Sequence, residues 1–337
     1  MKKFYLVMAA LLVSVSMFAD KISGSLGDDL TWEFENGTLT IKGSGDMPTV
    51  DTYTSAWHKG DNGNNVGKMA TSEIKKVVVE EGVTSLGKYA FYGLGELTEV
   101  KLPSTLTVIG EDAFQDCKKL TSIVLPDAVE EIQNQAFYRC VKLATVTFSK
   151  NLKTIGTNAF SSDGDDNMAL TSIDLSKTQV ETICGGAFGF NTELKTVHLP
   201  KTFLGFYGMD FTGTKAYGDG AFQGCSKIEK VIIDATNVPE TDPDVADNYD
   251  FPFSNAKNAQ LVVPKGSEEA YKKAGWDKYF KSMTTTGIRN LAKNTTMQAV
   301  DVYTLAGTKR LSHATVEEIN ALPKGVYIAN GKKVLVK

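Results

Sequence analysis

Leu120-Thr-Ser-Ile123-Val-Leu125-Pro126, then Val129-Glu-Glu-Ile132, then Ala136-Phe137-Tyr-Arg-Cys140: this stretch is one unit of a sequence that repeats along most of the chain. Its clearest mark is the pair Ala-Phe. Phe91, Phe114, Phe137 and Phe160 follow at intervals of 23 residues, behind Ala90, Ala113, Ala136 and Ala159. Phe188 and Phe222 continue after intervals of 28 and 34, behind Ala187 and Ala221. A fixed period of this length predicts stacked coils, each burying its apolar face only against its neighbours. Such stacks present long surfaces to partners and seldom enclose a catalytic cleft.

The unit opens L-x-x-I-x-L, the pattern of a leucine-rich repeat, in which a short strand buries alternate residues. The same frame holds Leu97, Val100 and Leu102, then Leu143, Val146 and Phe148, then Leu170, Ile173 and Leu175, then Leu194, Val197 and Leu199. Val77 with Val79, and Val231 with Ile233, are outer members, and Leu261 with Val263 reads as a last strand. Eight such strands would span roughly 35 Å at ~4.8 Å per rung. Pro103, Pro126 and Pro200 end pairing, since proline has no amide to donate. Ile109, Ile132, Ile155 and Ile183 form a second internal column and Ala-Phe a third. The fold class predicted is a β-rich solenoid of leucine-rich repeats with stacked short parallel strands.

The ends differ from the middle. Lys2 and Lys3 before Phe4 to Val13, and Ser14 to Ala19 after, read as a signal peptide over residues 1–19, with a retained membrane helix as the alternative. Met17 is an imperfect residue for a cut after Ala19, and no cysteine follows to carry a lipid anchor. Residues 20–73 form an N-terminal β cap: Trp32-Glu-Phe34 and Leu39-Thr-Ile41 flank Asn36-Gly37, a hairpin turn signal. Trp57 and His58 read as packing within that cap. The solenoid occupies 74–264. A capping helix over 265–283 starts at Ser267, with Glu268 and Glu269 in its first turn and Tyr271, Ala274 and Trp276 on its apolar side. A threonine-rich linker covers 284–299, and 300–337 reads as a small all-β module.

The repeated strand-Pro units and Ile109-Gly110-Glu-Asp-Ala113-Phe114-Gln-Asp-Cys117 resemble the BspA-like leucine-rich repeat proteins of bacterial surfaces. Leu30-Thr-Trp32 with Gly37-Thr-Leu39-Thr-Ile41 resembles that family's leader, and Val263-Pro264-Lys265-Gly266 with Tyr271 and Trp276 its closing helix. The likeness spans most of residues 22 to 283 and departs from the pattern in the stretched coils after Phe160 and Leu199. Val302-Tyr303-Thr-Leu-Ala-Gly307, Leu322-Pro-Lys-Gly325-Val-Tyr327 and Lys332-Lys-Val-Leu-Val-Lys337 are similar to C-terminal sorting modules of the Bacteroidetes, with a plain structural tail as the alternative. These resemblances imply an exported protein, extracellular or at the bacterial cell surface, that binds a protein or glycan ligand without catalysis. They also imply outer-membrane attachment through the tail and no transmembrane span after signal cleavage. The rival readings are an enzyme or accessory subunit of surface carbohydrate utilisation, and a structural surface-layer component.

Composition narrows the chemistry. A net charge of −4 over 337 residues does not favour nucleic acid. H-E-x-x-H, G-x-S-x-G and G-x-x-x-x-G-K-[ST] are absent, and three histidines offer little for a His-based site, so no catalytic residue and no cofactor are assigned. Cys117, Cys140 and Cys225 share one repeat position, three after the phenylalanine, and Cys184 stands elsewhere; all four read as free structural thiols, with Cys117 to Cys140 the one bridge to consider. Asp163, Asp165 and Asp166, and Asp242 and Asp244, form acidic loops that could take calcium but lack EF-hand spacing; a solvated loop is the simpler reading. The 203–217 insertion adds 11 residues to one coil, and Phe206, Tyr207 and Phe211 are its candidate partner anchors, unless the rings pack back on the solenoid. Lys101, Asp174 and His198, on the open strand face with Val124, Thr147 and Ile232, are the candidate polar neighbours.

Overall fold

The computed structural model describes residues 21–50, 71–162, 167–209, 215–217, 220–241, 251–286, 300–314, 318, 322–329 and 332–336. The expected signal peptide, Trp57, His58 and the five aspartates considered for calcium lie outside these residues.

Each coil contributes to two parallel sheets. The first face is built from Lys76–Val79, Glu99–Lys101, Ser122–Val124, Thr145–Thr147, Ser172–Asp174, Thr196–Leu199, Lys230–Ile233 and Gln260–Pro264, whose ladder pairing runs in three stretches: the first two strands, the next two and the last four. The second is built from two-residue strands, Val108–Ile109, Glu131–Ile132, Thr154–Ile155 and Thr182–Ile183, with Val83–Leu86 before them. Residues alternate across each strand, so Ile123, Ile173, Val197 and Val231 face the core from the first sheet while Ile109, Ile132, Ile155 and Ile183 face it from the second.

The third side of each coil carries Ala-Phe, and here the backbone does what the sequence could not announce. The Phe114 amide donates to the Ala136 carbonyl of the next coil at 2.7 Å, Phe137 to Ala159 at 2.8 Å and Phe160 to Ala187 at 2.7 Å. The residue before each alanine adopts a left-handed conformation: Tyr89 (φ 59°), Asp112 (55°), Gln135 (55°) and Asn158 (53°), with Gly186 and Gly220 taking the position in the stretched coils. Left-handed backbone is costly for residues with a Cβ, so the repeated bonds and packing must hold it in place. The turn drives each phenylalanine inward. The rings stack, Phe114 on Phe137 at 5.2 Å and 8°, Phe137 on Phe160 at 4.9 Å and 6°, Phe188 on Phe222 at 5.1 Å and 11°. Phe253 extends the column, 4.7 Å from Phe222, although Pro252 stands where alanine was expected and its carbonyl accepts the Phe222 amide.

The cysteine column has a specific role. The Cys117 thiol donates to the Phe91 carbonyl at 3.3 Å, Cys140 to Phe114 at 3.1 Å and Cys225 to Phe188 at 3.1 Å. Asn191, at the same repeat position, donates its amide to the Phe160 carbonyl at 2.8 Å. The thiols thus satisfy a buried carbonyl of the preceding coil, and all four cysteines are free, Cys117 and Cys140 included.

The N-terminal segment joins both sheets. Ile22–Leu26, Leu30–Glu35 and Thr38–Gly43 form an antiparallel meander turned by Asn36 and Gly37, and Thr38–Gly43 then pairs in parallel with Lys76–Val79. Gly45–Asp46 pairs with the second sheet through Val83–Leu86. At the other end, Glu268–Lys273 is helical and Trp276–Tyr279 forms a 3-10 turn, burying Tyr271 and Trp276. Ser267 precedes the helix, but its hydroxyl donates to the Pro264 carbonyl at 2.8 Å; no side-chain cap bond comes from Ser267, and the Glu268 carboxylate instead accepts from the Gly266 amide at 2.7 Å. Ser282–Thr286, expected as the end of the helix and the start of a linker, is a further parallel strand against Gln260–Pro264; the rest of the expected linker lies outside the described residues. Val300–Thr304, Lys309–Ala314, Gly325–Ala329 and Lys332–Val336 form an antiparallel sheet of their own.

Two outcomes test these contacts. Phe137→Ala empties the middle of the ring stack and should lower unfolding free energy by ~3–5 kcal/mol in denaturant titrations. Asp112 is only 4% exposed, and burial, aided by the Glu111 charge and opposed by Lys88, raises its carboxyl from 3.8 to about 6. Its ionisation therefore opposes folding above that value and not below the unfolded value near ~3.9. Asp112→Asn should gain on the order of 1–2 kcal/mol at pH 7 and nothing at pH 4.

Candidate functional site

The outward residues of the second sheet form a strip in strict register: Ser85, Val108, Glu131, Thr154 and Thr182. Isolated bridges carry it on through Gly205 to Glu240. Gly205 aligns with Thr182, so Phe206 takes the place that Ile183 holds one coil earlier. Phe206 is 1% exposed and packs on Phe203, Phe222, Phe253 and Trp276. It is a core residue and not a surface anchor. The signal is present in the sequence, since Phe206 lies 23 residues after Ile183, on the beat of the repeat.

The inserted chain leaves the solenoid only after Phe206. Tyr207–Met209 and Lys215–Tyr217 pair as antiparallel strands. Phe211, the third candidate anchor, lies outside the described residues. The Cys184 thiol donates to the Tyr207 carbonyl at 3.5 Å, fixing the first inserted residue beside the end of the strip.

Between this hairpin and the strip lies a pocket of about 460 Å³. Glu131, Thr154 and Thr182 contribute from the strip, Gln133, Asn134 and Thr157 from the turns that follow, and Tyr207 and Cys184 from the insertion side. Gly156 also lines it; a Cβ there would sit 2.6 Å from the Gln133 carbonyl carbon, so only glycine lets the two coils close at this level. The Gln133 amide oxygen accepts from the Glu111 backbone amide at 3.1 Å, and that of Asn134 from Thr157 at 2.9 Å, which fixes both side chains by their oxygens. Glu111 reaches the pocket but is ion-paired with Lys88 at 2.8 Å. Burial, with the nearby Glu131 charge, pushes the Cys184 thiol up to about 11.

The first sheet offers a different surface. Lys101 and Val124 stand exposed on it, Val124 at 66%, with Asp174 and His198 paired in adjacent coils. His198 lies between two carboxylates: Nε2 is 2.9 Å from Asp234 and Nδ1 is 3.8 Å from Asp174. Burial works against the Asp174 carboxylate, but hydrogen bonds from Ser176 and the His198 charge prevail and hold it below its ordinary range. The structure thus brings Asp174 and His198 together, while the lining of the Tyr207 pocket contains none of Lys101, Asp174 and His198. The aromatic and polar candidates expected as neighbours therefore lie on two surfaces, one on each sheet. Among the described residues no group of three His, Cys, Asp or Glu side chains is placed to hold a metal ion.

Two parallel ladders joined by a ring-stacked turn define a leucine-rich repeat solenoid. The chain belongs to the BspA-type leucine-rich repeat family, whose model matches residues 68–165 and 165–241 in six copies, just over half of the 337 residues. No curated protein matches it. Among solved structures it is similar to a T. pallidum leucine-rich repeat protein (25% identity over 77% of this chain and 94% of that one, TM-score 0.43). It is also similar to a leucine-rich repeat protein of Bacteroides ovatus (18%, 78% and 79%, TM-score 0.30). A leucine rich cell surface protein of Faecalibacterium prausnitzii aligns at 16% over 80% and 96%, with a TM-score of 0.22.

Thiol accessibility follows from these positions. In the folded chain Cys117, Cys140 and Cys225, each 0% exposed, should resist alkylation until denaturant is added, and Cys184 at 7% should react first. Early labelling of all four at once would show that the ladder of thiol bonds is not formed.

Proposed function

We propose that this chain is an exported, surface-associated binding protein without catalytic activity, whose ligand is a protein or a glycan. The N-terminal basic-apolar segment supports export, and the terminal β sheet, with its likeness to sorting modules, supports attachment at the outer surface. In this reading the Glu268–Lys273 helix and the Trp276–Tyr279 turn close the apolar end of the stack, as the burial of Tyr271 and Trp276 favours.

One observation carries the binding role. The repeats copy the residues that hold the fold and vary those that face out. Inward columns keep Ile, Phe and Ala, while the outward column of the first sheet reads Lys101, Val124, Thr147, Asp174, His198 and Ile232. A rigid frame with a diversified surface is the form of a recognition scaffold. The rival, a carbohydrate-active enzyme, needs two carboxylates about 5 to 10 Å apart across a bond. Glu111 and Glu131 share the pocket, but Lys88 engages the first and commits it to an ion pair.

Immobilised full-length chain should retain a matrix protein or a glycan from defined panels and release no reducing sugar from any glycan it holds. Turnover would establish the enzyme, and an empty result on both panels would leave a structural surface layer.

A further inference from the structure

We infer that the pocket beneath Tyr207 binds a neutral oligosaccharide, laid along the outward strip of the second sheet. This rests on the reading of the solenoid as a binding protein and assigns the ligand class and the place.

The chemistry of the lining selects the class. The described lining residues include no lysine or arginine, while Glu131 brings a carboxylate that has no ion-pair or hydrogen-bond partner among the described residues. Phosphate, sulfate and sialic acid would meet that charge without compensation. An apolar ligand would bury threonine hydroxyls and amide groups without partners, which is costly. A neutral polyol offers both donors and acceptors and so answers the whole lining. Gln133 and Asn134 already spend their amide oxygens on backbone amides, leaving their NH2 groups as donors. Glu131 supplies an acceptor, and Thr154 and Thr182 supply hydroxyls that act either way. Tyr207 adds an aromatic body with a polar tip, suited to a ring with one apolar face.

The spacing selects a chain of sugars over a single one. Glu131, Thr154 and Thr182 occupy successive rungs of a parallel ladder, which places polar groups in a line at ~4.8 Å steps. Gly205 follows with no side chain, and Tyr207, the first residue of the hairpin, lines that end of the pocket. The lengthening of the coil begins directly after this row, at the end of the polar line.

The test uses the full chain on an array of neutral, sialylated and sulfated oligosaccharides, with melting temperature measured for every variant. Neutral oligosaccharides should be retained and the anionic ones rejected. Tyr207→Ala, and Thr154→Val combined with Thr182→Val, should each weaken retention about fivefold or more with melting unchanged. Glu131→Gln should admit anionic oligosaccharides. Preference of the native chain for anionic oligosaccharides would overturn the inference, as would retention that survives both the tyrosine and the threonine variants. Capture of a matrix protein with no glycan retained would overturn it too, while leaving the binding role of the solenoid standing. Failure on both panels would remove both.

Discussion

The bond from each phenylalanine amide to the alanine carbonyl of the next coil sets the pitch on which the rest of this molecule depends. Alternate amides of each turn bond within it, as Ala113 does to Gly110 and Gln115 to Asp112, while those between them, on Asp112, Phe114 and Asp116, bond carbonyls of the next coil. With that spacing the phenylalanine rings lie about one rung apart and stack, and the thiol or amide three residues on donates to the phenylalanine carbonyl of a preceding coil. Backbone satisfaction, ring packing and coil spacing are therefore a single condition. The alanine before each phenylalanine is fully buried from Ala90 to Ala221, so this position favours a small side chain. Pro252 is tolerated because its carbonyl still accepts and the lost amide was not needed by that bond.

That condition also confines where the molecule can vary. Both sheets and the ring turn are tied coil to coil, so added residues must emerge between them. The 11-residue insertion leaves directly after the second-sheet row, at Phe206, and the acidic segment after Glu240 begins one coil later at the equivalent point. Lengthening at this edge costs only loop entropy, which grows slowly with length, and it leaves each ladder intact. The pocket lies where the inserted chain begins, lined there by Tyr207.

Surface ion pairs follow the same pitch without carrying the fold. Lys119 with Glu96 and Lys153 with Glu130 sit 23 residues apart and at 2.6 and 2.7 Å, on coil surfaces open to water. Exposed pairs contribute about 0–1 kcal/mol each, far less than one buried ring.

The sequence alone determined the repeat, its period and the inward columns, because periodicity records which residues must face the same neighbour. The fate of the thiols was also legible from their shared repeat position. The sequence did not reveal the left-handed positions as one column, because Tyr89 and Gln135 share it with Asp112 and Asn158, which adopt such backbone more readily; the inter-coil bonds impose it. It did not separate Tyr207 from Phe206, adjacent aromatics of one insertion, because only the ladder register puts the first at a pocket and the second in the core. Nor did it show that Ser282–Thr286 is a strand, since a threonine run has no apolar alternation to betray it and pairs only because Gln260–Pro264 presents an open edge. Which face Lys101, Asp174 and His198 occupy, and that it is a different face from the Tyr207 pocket, was decided by the folding of each coil around two sheets, a geometry that no single repeat contains.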